Sequence, residues 1–176
     1  MTKIGSGIII SECGQDSAVE IPQGTQRCRT IIGSGIFDLD SDVLYDISPN
    51  ANYVASGFIA SFTYGESLVL GDFVCIRGNN SVWKASYDDV VFSRVMGISL
   101  IDASYGSHNV LLSGFLRFNS WSWSLDVDKR IVYIGLNGVG TQIQPSGTDN
   151  AIQTIATVIN TNTLFFNPSL DYMTHI

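Results

Sequence analysis

Short runs of β-branched and aromatic residues alternate with clusters of Gly, Asn, Asp, Ser and Pro along most of this chain. Such runs pack well on a pleated, half-buried surface, and the clusters tolerate the backbone of tight turns, so the pattern predicts many short strands. The clearest are Ile4 to Ile10, Thr30 to Phe37, Tyr53 to Phe62, Phe73 to Arg77, Val90 to Ile101, Asn109 to Phe118, Arg130 to Ile134, Ile152 to Ile159 and Thr163 to Phe166. No long stretch repeats at the helical period, and the predicted class is all-β.

Two hairpins stand out. The four-residue polar linker Gly78-Asn79-Asn80-Ser81 joins the β-prone pieces ending at Arg77 and continuing to Lys84. Val95 to Ile101 and Asn109 to Arg117 flank the polar segment Asp102 to His108 in the same way. Gly97 and Gly114 lie inside these predicted strands, where a glycine marks a bulge or a close approach of another backbone. Ile4-Gly5-Ser6-Gly7-Ile8 returns as Ile32-Gly33-Ser34-Gly35-Ile36, two copies being too few for a solenoid. Both are expected to be strands bent at Gly-Ser-Gly. Composition shifts near Tyr64-Gly65, which places a boundary between an N-terminal β-rich arm or subdomain, 1–64, and a C-terminal small β-barrel or β-sandwich module, 65–176.

A chain of 176 residues can bury a real core without metals or disulfides. The formal net charge of −7 is set against only Lys3, Arg27 and Arg29 as cations before Arg77, so a nucleic-acid backbone is not an expected partner. No apolar run is long enough to span a bilayer, and the start lacks the basic-then-apolar order of a leader, so no membrane is expected and the product is read as water-soluble and made in the cytosol. Cys13, Cys28 and Cys75 form neither a C-x-x-C pair nor a histidine-supported cluster, so no metal is expected. They are read as reduced thiols, a Cys13–Cys28 bridge being the alternative.

Residue types that carry chemistry occur, but in ordinary settings. Asp102, Ser104, Ser107 and His108 include every residue type of a hydrolase triad, yet all fall in one hairpin connection where a polar turn is expected. Asp38, Asp40 and Asp42 would share one strand face and could invite Ca²⁺. An EF-hand loop starting at Asp38 would need Gly and Glu where Val43 and Pro49 stand, so a solvated strand edge is the simpler reading. Gly135-Leu136-Asn137-Gly138-Val139-Gly140 has no helix pattern after it to receive a phosphate, and is read as a turn. No catalytic residue and no cofactor is assigned.

The alternation Trp121-Ser122-Trp123-Ser124-Leu125 puts Trp121, Trp123 and Leu125 on one face of an extended chain. That ladder suits a core, an intersubunit contact or a sugar-stacking platform. With Ile4, Gly5, Ile8, Gly33 and Ile36 of the repeated element, these three are the candidate interface residues.

From about Gly65 onward the chain resembles a domain of tailed-bacteriophage structural proteins, the head-decoration (capsid cement) and head- or tail-fibre subunits. The likeness is carried in order by Gly65-Glu66, Leu70-Gly71-Asp72-Phe73-Val74, Val82-Trp83-Lys84-Ala85, Val95-Met96-Gly97-Ile98-Ser99-Leu100, Val110-Leu111-Leu112-Ser113-Gly114-Phe115 and the ending Thr163-Leu164-Phe165-Phe166-Asn167-Pro168-Ser169-Leu170-Asp171-Tyr172. Residues 1 to about 64 lie outside it, and the stretch Trp121 to Thr148 departs from shorter versions. The resemblance implies a non-enzymatic virion protein on the capsid surface, made in the host cytoplasm. It also implies a homotrimer whose partner is the major capsid protein. The alternative is a receptor-recognising fibre or adhesin module, for which Trp121 and Trp123 would meet a glycan receptor.

Overall fold

The computed structural model describes the strands Thr2–Ile4, Ile8–Ile10, Arg29–Ile32 and Gly35–Asp38 by their backbone, Pro49, and residues 51–174 except Val90 and Phe92, with Asn79 described by its backbone. The chain divides into two compact units, Met1–Leu44 and Tyr45–Ile176.

In the first unit β1 (Thr2–Ile4), β2 (Ile8–Ile10), β3 (Arg29–Ile32) and β4 (Gly35–Asp38) form an antiparallel sheet in that order. Ile4 stands opposite Ile8, and Ile31 opposite Ile36. Each copy of the repeated element therefore joins two antiparallel strands, rather than forming one bent strand as expected. Gly5 and Gly33 lie outside the described residues.

The second unit is built on β5 (Ala55–Tyr64), β7 (Phe73–Arg77), β8 (Ser81–Lys84), β9 (Gly97–Ser99) and β11 (Ser107–Arg117). Their pairings run β5 to β8, β8 to β7, β7 to β9, β9 to β11 and β11 back to β5, so five strands close a circuit. Only the β5–β8 pairing is parallel. The far half of β11 continues the sheet through β16 (Thr163–Phe166), β15 (Thr154–Asn160), β12 (Ile131–Ile134) and the two-residue β13 (Gly140–Thr141). Short pairs β6 (Ser67–Leu68) with β10 (Ala103–Ser104), and β14 (Ala151–Ile152) with β17 (Met173–Thr174), complete the unit.

Both hairpins expected from the sequence are present, and among the described residues the class is all-β, with helical geometry confined to two short 3₁₀ turns. The boundary differs. β5 is hydrogen-bonded to β11 along almost its whole length, so the strand assigned to the N-terminal part belongs to the larger unit, and the division falls before Tyr45. A composition shift at Tyr64-Gly65 marks the turn into β6, not a break between cores.

Alternation along the circuit strands feeds two apolar clusters. Phe73, Cys75, Ile98 and Leu111 join Val132, Ile155, Leu164 and Phe166 in the larger one. Val74 and Val110, the intervening residues, join Tyr64, Leu68 and Val82 in the smaller. A strand buried on both faces must be apolar at consecutive positions, which is why Phe73-Val74-Cys75 and Val110-Leu111 read as unbroken apolar runs.

Candidate functional site

The segment 119–125 does not form a strand. Trp121 N–H is turned back to Phe118 C=O at 3.0 Å, and Trp123 N–H reaches Thr161 C=O at 2.8 Å, which seats the segment against the β15–β16 turn. The two indoles still lie together, 5.6 Å apart. Trp121 stacks on Phe73 at 6.4 Å with its plane 9° away, and meets Phe118 edge-on at 5.5 Å. Both tryptophans pack against the larger apolar cluster and are half-buried, while Ser120 and Ser122 are exposed. Leu125 is 40% exposed. The two indoles thus lie together without the expected strand, and they pack on the core. The Trp123 Nε1–H is buried with no hydrogen-bond partner.

Beside the indoles, polar side chains fasten the start of β5 to the end of β11. Asn52 Oδ1 accepts Asn119 N–H at 2.7 Å, Arg117 Nη1–H donates to Pro49 C=O at 3.2 Å, and Asn162 Nδ2–H donates to Asn119 Oδ1 at 3.1 Å. Tyr53 closes the aromatic group, its ring 5.6 Å from Phe118.

The triad-type residues are not arranged as a triad. His108 Nε2 is 2.8 Å from Tyr105 C=O, Asp102 Oδ1 accepts Leu70 N–H at 2.7 Å, and the Ser104 hydroxyl pairs with that of Ser67. These bonds lead to three different partners, and none of them joins His108 to Asp102 or to Ser104. Gly135 to Gly140 is the turn between β12 and β13, with Asn137 and Gly138 both at positive φ, and Gly138 N–H donates to Ala85 C=O at 2.7 Å. Asp38 pairs with Arg29 across β3 and β4, whereas Asp40, Asp42, Cys13 and Cys28 lie outside the described residues. Cys75 is free and buried, and burial pushes its thiol up to about 11. Among the described residues no cluster of His, Cys, Asp and Glu could hold a metal, and no helix is long and apolar enough to cross a membrane.

An open cleft of about 740 Å³ is lined by Leu136, Val139 and Ile143 with Tyr87, Pro145 and Asn150. No Asp, Glu, His, Lys or Arg lines it.

Polar side chains inside the larger unit also organise the fold. Buried Gln153 mimics a strand: its Oε1 accepts Val95 N–H at 2.8 Å while its Nε2 donates to Val95 C=O at 3.1 Å and to Ser169 C=O at 2.7 Å. The buried Tyr64 hydroxyl is 2.7 Å from Ser99 Oγ, and Ser99 donates onward to Ile101 C=O at 2.9 Å. Asp72 Oδ2 accepts Val69 N–H at 2.9 Å and lies 3.4 Å from Lys84 Nζ. Burial raises the Asp72 carboxyl above its usual range, opposed by Val69 N–H and Lys84.

Comparison with family models, with curated proteins and with solved structures finds no match to this chain.

Proposed function

We propose that this chain is a non-enzymatic structural subunit of a bacteriophage virion, a decoration protein that binds the outside of the head and stabilises the shell. Support comes from the way the segments carrying the sequence resemblance bind one another. Gly65 N–H donates to Val82 C=O at 2.9 Å, and Glu66 Oε1 accepts Lys84 N–H at 2.7 Å. Gly71 N–H donates to Ser99 C=O, Ser99 N–H to Asp72 C=O, and Met96 N–H to Val74 C=O. The ending folds back on β15, where Asn167 N–H and Ser169 N–H donate to Ile155 and Thr154. Motifs spent on each other in this way build a framework.

Such a subunit would work through many copies, each contact modest and the whole strengthened by multivalency. The partner under this reading is the major capsid protein, and the copies are expected as homotrimers. The deciding experiment locates the subunit by imaging virions and compares heated or osmotically shocked particles with and without it. Head location together with greater fragility in its absence is the expected result. Tail location, or unchanged fragility, sinks the cementing role.

A further inference from the structure

Edge strands offer unpaired N–H and C=O groups to any extended chain, and proteins protect them by shortness, charge, proline or a covering group. Most edges of the larger unit follow that rule. β13, β14 and β17 are two residues long, and the N–H of Lys84 on β8 is capped by the Glu66 carboxylate. β5 is the exception. One side pairs with β11 over nine of its residues, but on the other β8 reaches only Thr63 and Tyr64. Among the described residues no strand covers that outer side from Gly57 to Phe62. The exposed part holds no charge and no proline, and it presents Phe58 at 65% and Ile59 at 41% exposure.

We infer that a second copy of this chain pairs here, β5 against β5, antiparallel about a two-fold axis at Ile59. The sequence is self-complementary in that register: Phe58 falls opposite Ala60 of the other copy, and Gly57 opposite Ser61. Large therefore meets small on one face, while the two Ile59 side chains meet on the other. Charge leaves this edge open to the same occupant. Two copies each carrying a formal −7 repel, and a contact between them costs least where neither contributes an ionised group. Two-fold pairing also uses up the edge, so it stops at two strands instead of propagating. This inference stands apart from the head-decoration reading, because it concerns copies in solution and leaves their place on a virion open.

Sedimentation equilibrium and a symmetric cross-link test it on the full chain. Ile59→Cys places two thiols across the axis, and mild oxidation should yield a covalent dimer well above the background that Cys13, Cys28 and Cys75 give in the wild type. Ser61→Cys, whose opposite residue is Gly57, should stay at background. Ile59→Lys should halve the mass of the assembly while leaving the circular dichroism of the unit unchanged. A wild-type chain that sediments as a monomer or as an unpaired trimer, or one in which Ile59→Cys cross-links no better than Ser61→Cys, overturns the proposal, whereas a dimer or a two-fold pair of trimers supports it. Should Ile59→Lys fail to fold, the cross-link comparison still decides.

Discussion

Gly57 and Gly114 face each other across the β5–β11 ladder so closely that each occupies the space a side chain on the other would need. A Cβ on Gly57 would lie 2.2 Å from Ser113 C=O and 2.7 Å from Gly114 Cα, and one on Gly114 would lie 2.3 Å from Ser56 C=O. The obstacles are backbone atoms, which cannot rotate aside, and the register slips between Leu111 and Ser113 just beyond the pair. Gly57→Ala and Gly114→Ala should each cost about 1–3 kcal/mol through strain in the packed ladder. Gly78→Ala, with nothing within 4 Å of the new methyl, should stay within about 0.5 kcal/mol of wild type. Urea midpoints of the three variants check the contrast.

Replacing Gln153 by Leu keeps the volume but strips Val95 N–H, Val95 C=O and Ser169 C=O of their side-chain partner. A buried group left unpaired costs about 1–3 kcal/mol, so this single change should cost roughly 3 kcal/mol. Hydrogen exchange at the Val95 amide should accelerate along with the loss of stability. An unaltered exchange rate would show that the bond to Gln153 does not protect it.

Alkaline conditions should weaken the fold through Cys75. The free thiol ionises near 9.0 when unfolded, but in the folded chain burial delays this to about 11. Between those values the unfolded state has lost the proton that the native state keeps, so stability falls as pH rises, by about 2 kcal/mol across the window. Cys75→Ala should flatten that part of the stability profile whatever its effect at neutral pH. A profile with the same slope between pH 9 and 11 would refute the assignment.

The tryptophans separate by what each loses. Trp121→Ala removes a ring stacked on Phe73 and should cost about 2–3 kcal/mol, short of the ~3–5 typical of a wholly buried aromatic. Trp123→Phe also removes an N–H that has no partner in the fold, and should cost less than about 1 kcal/mol. Thermal unfolding of the two variants reads the difference, and equal losses would argue against it.

Much of the larger unit was legible because alternation and turn residues act locally. The runs from Phe73 and Thr163 became strands with the expected ends, and Gly97 and Gly114 sit at the close approaches their positions implied. What escaped was decided at long range. The partner of Gln153 lies 58 positions away, and nothing near Ala55 announces that β5 will pair with a strand beginning at Ser107. The indole face was legible as a face but not as a turn, since the carbonyl that holds Trp123 belongs to Thr161. The candidate residues Ile4, Ile8 and Ile36 lie in paired strands, and Gly5 and Gly33 fall outside the described residues.

The ladder between β5 and β11 also sets an order of events during synthesis. Ala55 cannot find Leu116 until the latter has left the ribosome, which at about 5–20 residues per second takes several seconds after β5 has emerged. For that interval an uncharged, aromatic-bearing strand has both sides open. A nascent chain paused there would be the form most prone to clump, and the one that a chaperone able to grip extended apolar peptide would rescue.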